Sequence, residues 1–231
     1  THIGDVGHTL VVGPTGMGKS VLLATLALQF RRYPGGRVLA FDMGRSMRAT
    51  VLGLGGEHYD LGPDGRIAFQ PLARIDQDGY RAWAAEWVEG RLAHEGVAVG
   101  PAERDAVWSA LASLACAPLE QRTLTGLSVL LQSNALRQAL QPYVLGGAHG
   151  RLLDADVDRL GSSPVQCFEM EELMPSRAAT LAVLSYLFAR FEERFDGAPT
   201  LLILDEAWLF LDDPVFAARI RQWLKTLRKK N

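Results

Sequence analysis

The chain has 231 residues, 48% of them hydrophobic, and a formal net charge of −2. That is enough apolar material for a sizeable core, and it excludes a global basic field of the kind that draws in nucleic acid or acidic lipid. No apolar run reaches the ~18 residues of a membrane span. The two cysteines, Cys116 and Cys167, form neither a CxxC pair nor metal-ligand spacing with the five histidines.

Both thiols sit among apolar neighbours and read as buried and reduced. The opening residues, with His2, Asp5 and His8, do not read as a secretory leader, and both ends read as cuts in a longer chain.

Thr9-Leu10-Val11-Val12 is a short β-rich run that stops at Gly13, and Lys19 to Phe30 follows as a helix. Arg37 to Phe41 reads as a buried strand ended by Asp42 and Gly44, and His58 to Leu61 as a third short one. Strands alternating with helices predict an α/β fold with a parallel sheet flanked by helices. From about residue 76 to 150 the pattern turns helical. Tyr80, Trp83, Trp87 and Arg91 share one stripe, and Val107, Leu111 and Leu114 share another after a helix start at Pro101.

Strand character returns at Pro164–Phe168. An amphipathic helix follows, with Leu181, Leu184, Leu187, Phe188, Phe191 and Phe195 on one side. Thr200–Leu204 is a continuous apolar run of the central-strand kind, and a last helix begins near Pro214. The expected organisation is an α/β core in two segments, 1–75 and 151–231, split by an all-helical insertion over 76–150.

Gly13-Pro14-Thr15-Gly16-Met17-Gly18-Lys19-Ser20 fits G-x-x-x-x-G-K-[ST] at every specified position, between a strand-like run and a helix. Glycines let the backbone take positive φ and approach phosphate oxygens closely. The loop amides and the dipole of the following helix then favour a polyanion, with Val21 continuing the helix. Lys19 is expected on the β and γ phosphates, and the Ser20 hydroxyl on Mg²⁺.

Leu201 to Glu206 supplies the second half: an apolar strand ending in two carboxylates, at the sheet edge where ligands of open α/β folds bind. Asp205 is expected to hold the Mg²⁺ shell, through water, and Glu206 to act as general base. No N-K-x-D or L-S-G-G-Q motif is present, which favours a RecA-like P-loop NTPase using ATP over a GTPase or an ABC-type ATPase.

Further segments make the pattern more specific. They are Gly4–Leu10 before the loop, Phe41-Asp42-Met43-Gly44-Arg45-Ser46, Pro142–Ala148, Leu152–Ala155, Phe168–Leu173, Leu204–Trp208 and Leu227–Asn231. In this order and over nearly the whole chain they resemble the conjugative-transfer ATPases of type IV secretion systems, the TrbE-like family. The resemblance implies the motor domain of a larger ATPase, related to the HerA–FtsK translocases. It also implies a hexamer, peripheral to the cytoplasmic face of the bacterial inner membrane, with secretion-channel and pilus components as partners. The family's amino-terminal domain is absent, and a strand bearing a polar sensor is expected after Asn231, so this piece is expected to hydrolyse ATP weakly.

Other residues stay open between two roles. Asp42 either tunes the catalytic water and metal shell or caps a turn, and Arg45 either touches phosphate or a neighbouring subunit or is solvated. Glu169, Glu171 and Glu172 read as capping and surface charge or as catalytic groups. Arg228, in the basic cluster of Lys225, Lys229 and Lys230, either complements a helix dipole or reaches the nucleotide of the next subunit. The leading function is an ATP-hydrolysing motor for conjugative secretion. The alternatives are a duplex-DNA pump of the HerA–FtsK type, for which the net charge offers little, and a nucleotide-gated interaction module.

Overall fold

The computed structural model describes residues 7–208 and, beyond them, Pro214, Ala217, Ala218, Ile220 and Arg221. Arg228 and its basic neighbours, the opening six residues and most of the helix expected from Pro214 lie outside the described residues.

In chain order the elements are α1 (Lys19–Phe30), β1 (Arg37–Asp42), α2 (Arg48–Gly53), β2 (Glu57–Asp60), α3 (Asp78–His94), α4 (Pro101–Leu114), α5 (Leu124–Leu130), α6 (Asn134–Leu140), α7 (Gly150–Leu153), β3 (Val165–Glu169), α8 (Arg177–Glu192) and β4 (Thr200–Leu204). They fall into two compact units. The first comprises 1–65, 162–173 and 191–231; the second comprises 66–161 and 174–190.

The first unit holds a four-stranded sheet in the order β2-β3-β1-β4, and every pairing is parallel. Because side chains alternate along a strand, Val38, Ala40, Val165, Cys167, Leu201 and Ile203 share one face. That face packs against Ala27 of α1 and Val51 of α2, with Leu23, Ala24 and Phe30 at its margin. On the opposite face Phe41 stacks on Phe168 at 5.5 Å and meets Phe191 at 6.1 Å, while Tyr59 stacks on Phe168 at 5.2 Å. Gly56 leads into β2 where a Cβ would lie 2.6 Å from the Val165 carbonyl oxygen, so only glycine lets β2 approach β3 there.

Thr9–Val12, read from sequence as a strand, pairs with no strand among the described residues, and Leu10 and Val12 are 82% and 83% exposed. Local β propensity is not enough to make a strand, since a strand needs a ladder partner for its N–H and C=O groups. No described strand offers one to this segment. The reading of both thiols as buried is also corrected: Cys167 is buried, whereas Cys116 is exposed just beyond the end of α4.

The second unit is helical. Pro101 opens α4, with the Glu103 carboxylate accepting the Gly100 N–H at 2.9 Å. Trp87 of α3 donates its indole N–H to the Ala182 carbonyl of α8 at 3.0 Å, and Tyr186 packs against Phe69 and Trp83. Asp154 ties two loops together by accepting N–H groups from Thr125 and Leu145. The tryptophans of the α3 stripe are therefore engaged in packing.

Candidate functional site

The loop before α1 takes the conformation that its glycines permit. Gly16 and Gly18 have φ of 82° and 78°, in the left-handed region that disfavours any side chain, and Gly18 is the N-cap of α1. Residues 14–18 are exposed, and a Cβ added at Gly16 or Gly18 would meet nothing within 4 Å. The glycines are needed here for backbone geometry, not for space. Met17 and Val21 are 74% and 69% exposed. Lys19 folds back over the loop, its Nζ donating to the carbonyls of Gly13 at 2.9 Å and Pro14 at 3.2 Å.

The four strands end in the same way: Phe41-Asp42, Tyr59-Asp60, Phe168-Glu169 and Leu204-Asp205. The register places Glu169 opposite both Asp42 and Asp60, and the Asp205 N–H continues the β4 ladder onto the Phe41 carbonyl at 2.9 Å. Parallel pairing thus lines up four carboxylates along the carboxyl edge, on the face covered by α1 and α2. Asp42, Glu169 and Asp205 are all buried.

Burial raises the pKa of Asp42, and the charges of Glu169 and Asp205 add to it, against hydrogen bonds from the Ser46 hydroxyl at 2.6 Å and the Met47 N–H at 2.8 Å. Burial likewise raises Asp205, against the hydrogen bond from the Glu206 N–H at 3.1 Å, and the charge of Glu206 adds to the rise. Glu206 has φ of 49°, one of two non-glycine residues among those described with positive φ, and accepts the Trp208 indole N–H at 2.6 Å.

The other expected site residues sit as follows. Asp42 lies within this acidic row. The Arg45 guanidinium pairs with Asp60 at 3.0 Å and Glu172 at 3.6 Å in its own unit. Gly44 and Arg45, at φ of 74° and 57°, turn the chain after β1 so that their N–H groups clasp the Glu169 carboxylate. Sequence reasoning passed over Ser46 and Asp60. The recurring hydrophobic-then-acid ending of the strands was the signal for Asp60; nothing in the sequence marks Ser46, whose position depends on the turn at Gly44 and Arg45.

A left-handed glycine loop at a helix start, in the same compact unit as a row of buried carboxylates, is the kind of arrangement that suits a polyanion bridged to the protein by a cation.

No protein-family model matches the chain. It is 47% identical over 238 residues to the conjugal transfer protein TrbE of Rhizobium radiobacter, covering 100% of this chain and 29% of that protein. It is 46% identical over 236 residues to a probable conjugal transfer protein TrbE of Sinorhizobium fredii, of which it covers 35%. The type IV secretion system protein virB4 of Bartonella quintana is 28% identical over 235 residues, with 30% of its length covered. The chain thus spans about a third of the length of these relatives. Among solved structures, VirB4 of Thermoanaerobacter pseudethanolicus shares the fold, with a TM-score of 0.68 at 21% identity over 95% of this chain and 66% of that one.

Proposed function

We propose that this chain, homologous along its whole length to TrbE and VirB4 proteins, is the portion of a longer protein that binds and hydrolyses ATP to drive conjugal transfer and type IV secretion. The observation that supports this reading is a left-handed glycine loop at the start of α1, ending in Lys19, in the same compact unit as a buried carboxylate, Asp205, at the tip of β4.

In this reading the loop amides from Gly13 to Ser20 hold the phosphates, and Lys19 exchanges the carbonyls of Gly13 and Pro14 for β and γ phosphate oxygens. Ser20 and Asp205 are the residues that would hold Mg²⁺. The donors are hard oxygens, and Asp205 is a buried carboxylate at the carboxyl edge of the sheet, so the residues fit such an ion. When bound, Mg²⁺ supplies charge neutralisation at the phosphates. Glu206, one residue beyond Asp205 and exposed, takes the proton from water as it attacks the γ phosphate.

Within the longer protein, the domain works in a hexamer at the cytoplasmic face of the inner membrane, beside secretion-channel and pilus components. No helix among the described residues is long and apolar enough to cross a membrane. The test is equilibrium binding of a fluorescent ATP analogue, with Mg²⁺ present and absent, followed by steady-state phosphate release at high protein concentration. Saturable binding that ATP competes away is expected. Equal binding by a Lys19→Ala variant would overturn the reading.

A further inference from the structure

Three side chains that the phosphate site does not require converge on the helix-covered face of the sheet. His58 and Cys167 are register partners on β2 and β3, Cys167 lies opposite Ala40 on β1, and Asp42 is two residues further along the same face. One ligand-capable atom from each of Asp42, His58 and Cys167 lies within 4.8 Å of the other two. Asp42 and Cys167 are fully buried, and His58 Nε2 is buried without a hydrogen-bond partner. Apolar packing accounts for a buried cysteine. It does not account for a partnerless imidazole nitrogen beside a thiol and a carboxylate, since a buried polar atom left unsatisfied costs free energy that apolar packing does not return.

We propose that Asp42, His58 and Cys167 form a binding site for one divalent transition-metal ion, with zinc the ion their chemistry suits best. A sulfur, a nitrogen and an oxygen make a borderline-soft donor set that Mg²⁺ and Ca²⁺ disfavour and Zn²⁺ accepts, and three protein ligands leave a fourth position for water. Bond lengths of ~2.0–2.3 Å place tetrahedral ligands roughly 3.3–3.8 Å apart, so small side-chain rotations bring the three atoms to the ion. The half-buried His58 provides the way in. The Ser46 hydroxyl and Met47 N–H that hold the Asp42 oxygens act as the outer shell that orients a ligating carboxylate.

The two protonation states pull in opposite directions: the imidazole is ready to ligate, whereas the thiol must first lose its proton. Burial, with the charge of Arg48, lowers the His58 pKa and keeps the ring neutral, the form that ligates. Burial first, and then the charges of Asp42, Glu169 and Asp205, push the Cys167 thiol up. Metal binding therefore exchanges the S–H bond for a sulfur–metal bond and releases the thiol proton to water. None of Lys19, Ser20, Asp205 and Glu206 is a ligand here, so cobalt binding without nucleotide tests this site separately from the phosphate site.

Cobalt(II) titration of the metal-stripped 231-residue chain, free of any histidine tag, is the direct test. One equivalent is expected to give a thiolate-to-cobalt charge-transfer band and the intense d–d absorption of tetrahedral cobalt, both abolished by added zinc. Cys167→Ala should lose the charge-transfer band with an unchanged far-ultraviolet circular dichroism spectrum, and Cys116→Ala should keep it. His58→Gln should keep the band and weaken binding at least about tenfold. The absence of a charge-transfer band in the folded wild-type chain, or its survival in Cys167→Ala, would overturn the site. If Cys167→Ala does not fold, His58→Gln decides: unchanged cobalt affinity overturns the proposal.

Discussion

Asp42 and Glu169 face each other at the carboxyl ends of β1 and β3, both buried, and each is held by N–H or O–H donors of the loop that leaves β1. The two acids thereby fix the path of residues 44–47 and with it the position of Ser46, whose hydroxyl donates to Asp42. Glu169 accepts from the backbone of Gly44, Arg45 and Glu171. Glutamine offers one carbonyl oxygen and no charge in place of two charged acceptors. Glu169→Gln is expected to lower stability by about 1.5–3 kcal/mol, read as a fall in the urea midpoint at unchanged m. A midpoint within error of wild type would show that the loop does not depend on this carboxylate.

The phosphate reading separates two roles that are easily confused. Lys19→Ala removes charge-assisted contacts to phosphate and should weaken ATP binding by about 2–3 kcal/mol, roughly 30- to 150-fold. Glu206→Gln keeps the shape and removes the base. Binding should stay within about threefold, while phosphate release falls by roughly 10²–10⁴. Equal loss of affinity in both variants would contradict the assignment.

Glu206 carries a conformational cost in its place. At φ of 49° a residue with a Cβ is strained, and such strain tends to sit where function holds it. Glu206→Gly should therefore be more stable than Glu206→Ala by about 0.5–1 kcal/mol, both being inactive. Comparing the two variants cancels the loss of the carboxylate and its bond from Trp208. If the glycine variant is the less stable of the pair, the left-handed backbone is not a source of strain here.

Much of the fold was legible because local and tertiary signals agree. Lys19–Phe30 forms a helix with the bounds read from sequence, since the glycine loop gives it a sharp start, and the apolar runs at 37–41, 164–168 and 200–204 lie within a residue of β1, β3 and β4. The run at 9–12 misled because propensity is local and pairing is not. Cys116 misled because Ala115 and Ala117 are apolar in sequence yet lie in the turn that follows α4. The Asp205-Glu206 pair was visible as two acids after an apolar strand. The alignment of Asp42 with Glu169, and the bond from Ser46, depend on register and on a left-handed turn at Arg45, which no sequence pattern specifies.

Arg37 and Asp196 give the fold an acid limb that can be assigned. Arg37 donates to both Asp196 oxygens, at 3.0 and 2.8 Å, and these bonds, with the Ala198 N–H, hold the Asp196 pKa at about 2. The folded-state pKa lies below the usual 3.8. The pair therefore contributes stability above the unfolded value, and that contribution is lost as pH falls through the interval from 3.8 to about 2. Asp196→Asn should flatten the pH dependence of the urea midpoint in this window and leave its shape near neutrality unchanged. Because the carboxylate is exposed, added salt should shrink the difference. Parallel wild-type and variant curves through this window would remove Asp196 as the cause.

Arg91 makes the opposite prediction, that deleting a charge does no harm. It is 7% exposed, its Nε and Nη1 are buried without hydrogen-bond partners, and burial lowers its pKa. Glu95, the nearby carboxylate, accepts the Tyr143 hydroxyl at 2.8 Å, so it is already engaged. What holds the guanidinium is the Trp87 ring, 5.4 Å from its centre. A desolvated cation–π contact of about 2 kcal/mol is still smaller than the several kcal/mol that desolvating an unpaired charge costs. Arg91→Met keeps most of the volume and removes the charge, so its urea midpoint should equal or exceed that of wild type, by up to about 2 kcal/mol. A loss of more than about 1 kcal/mol would mean that the guanidinium has a stabilising partner, such as a bound anion or ordered water, at Nε and Nη1.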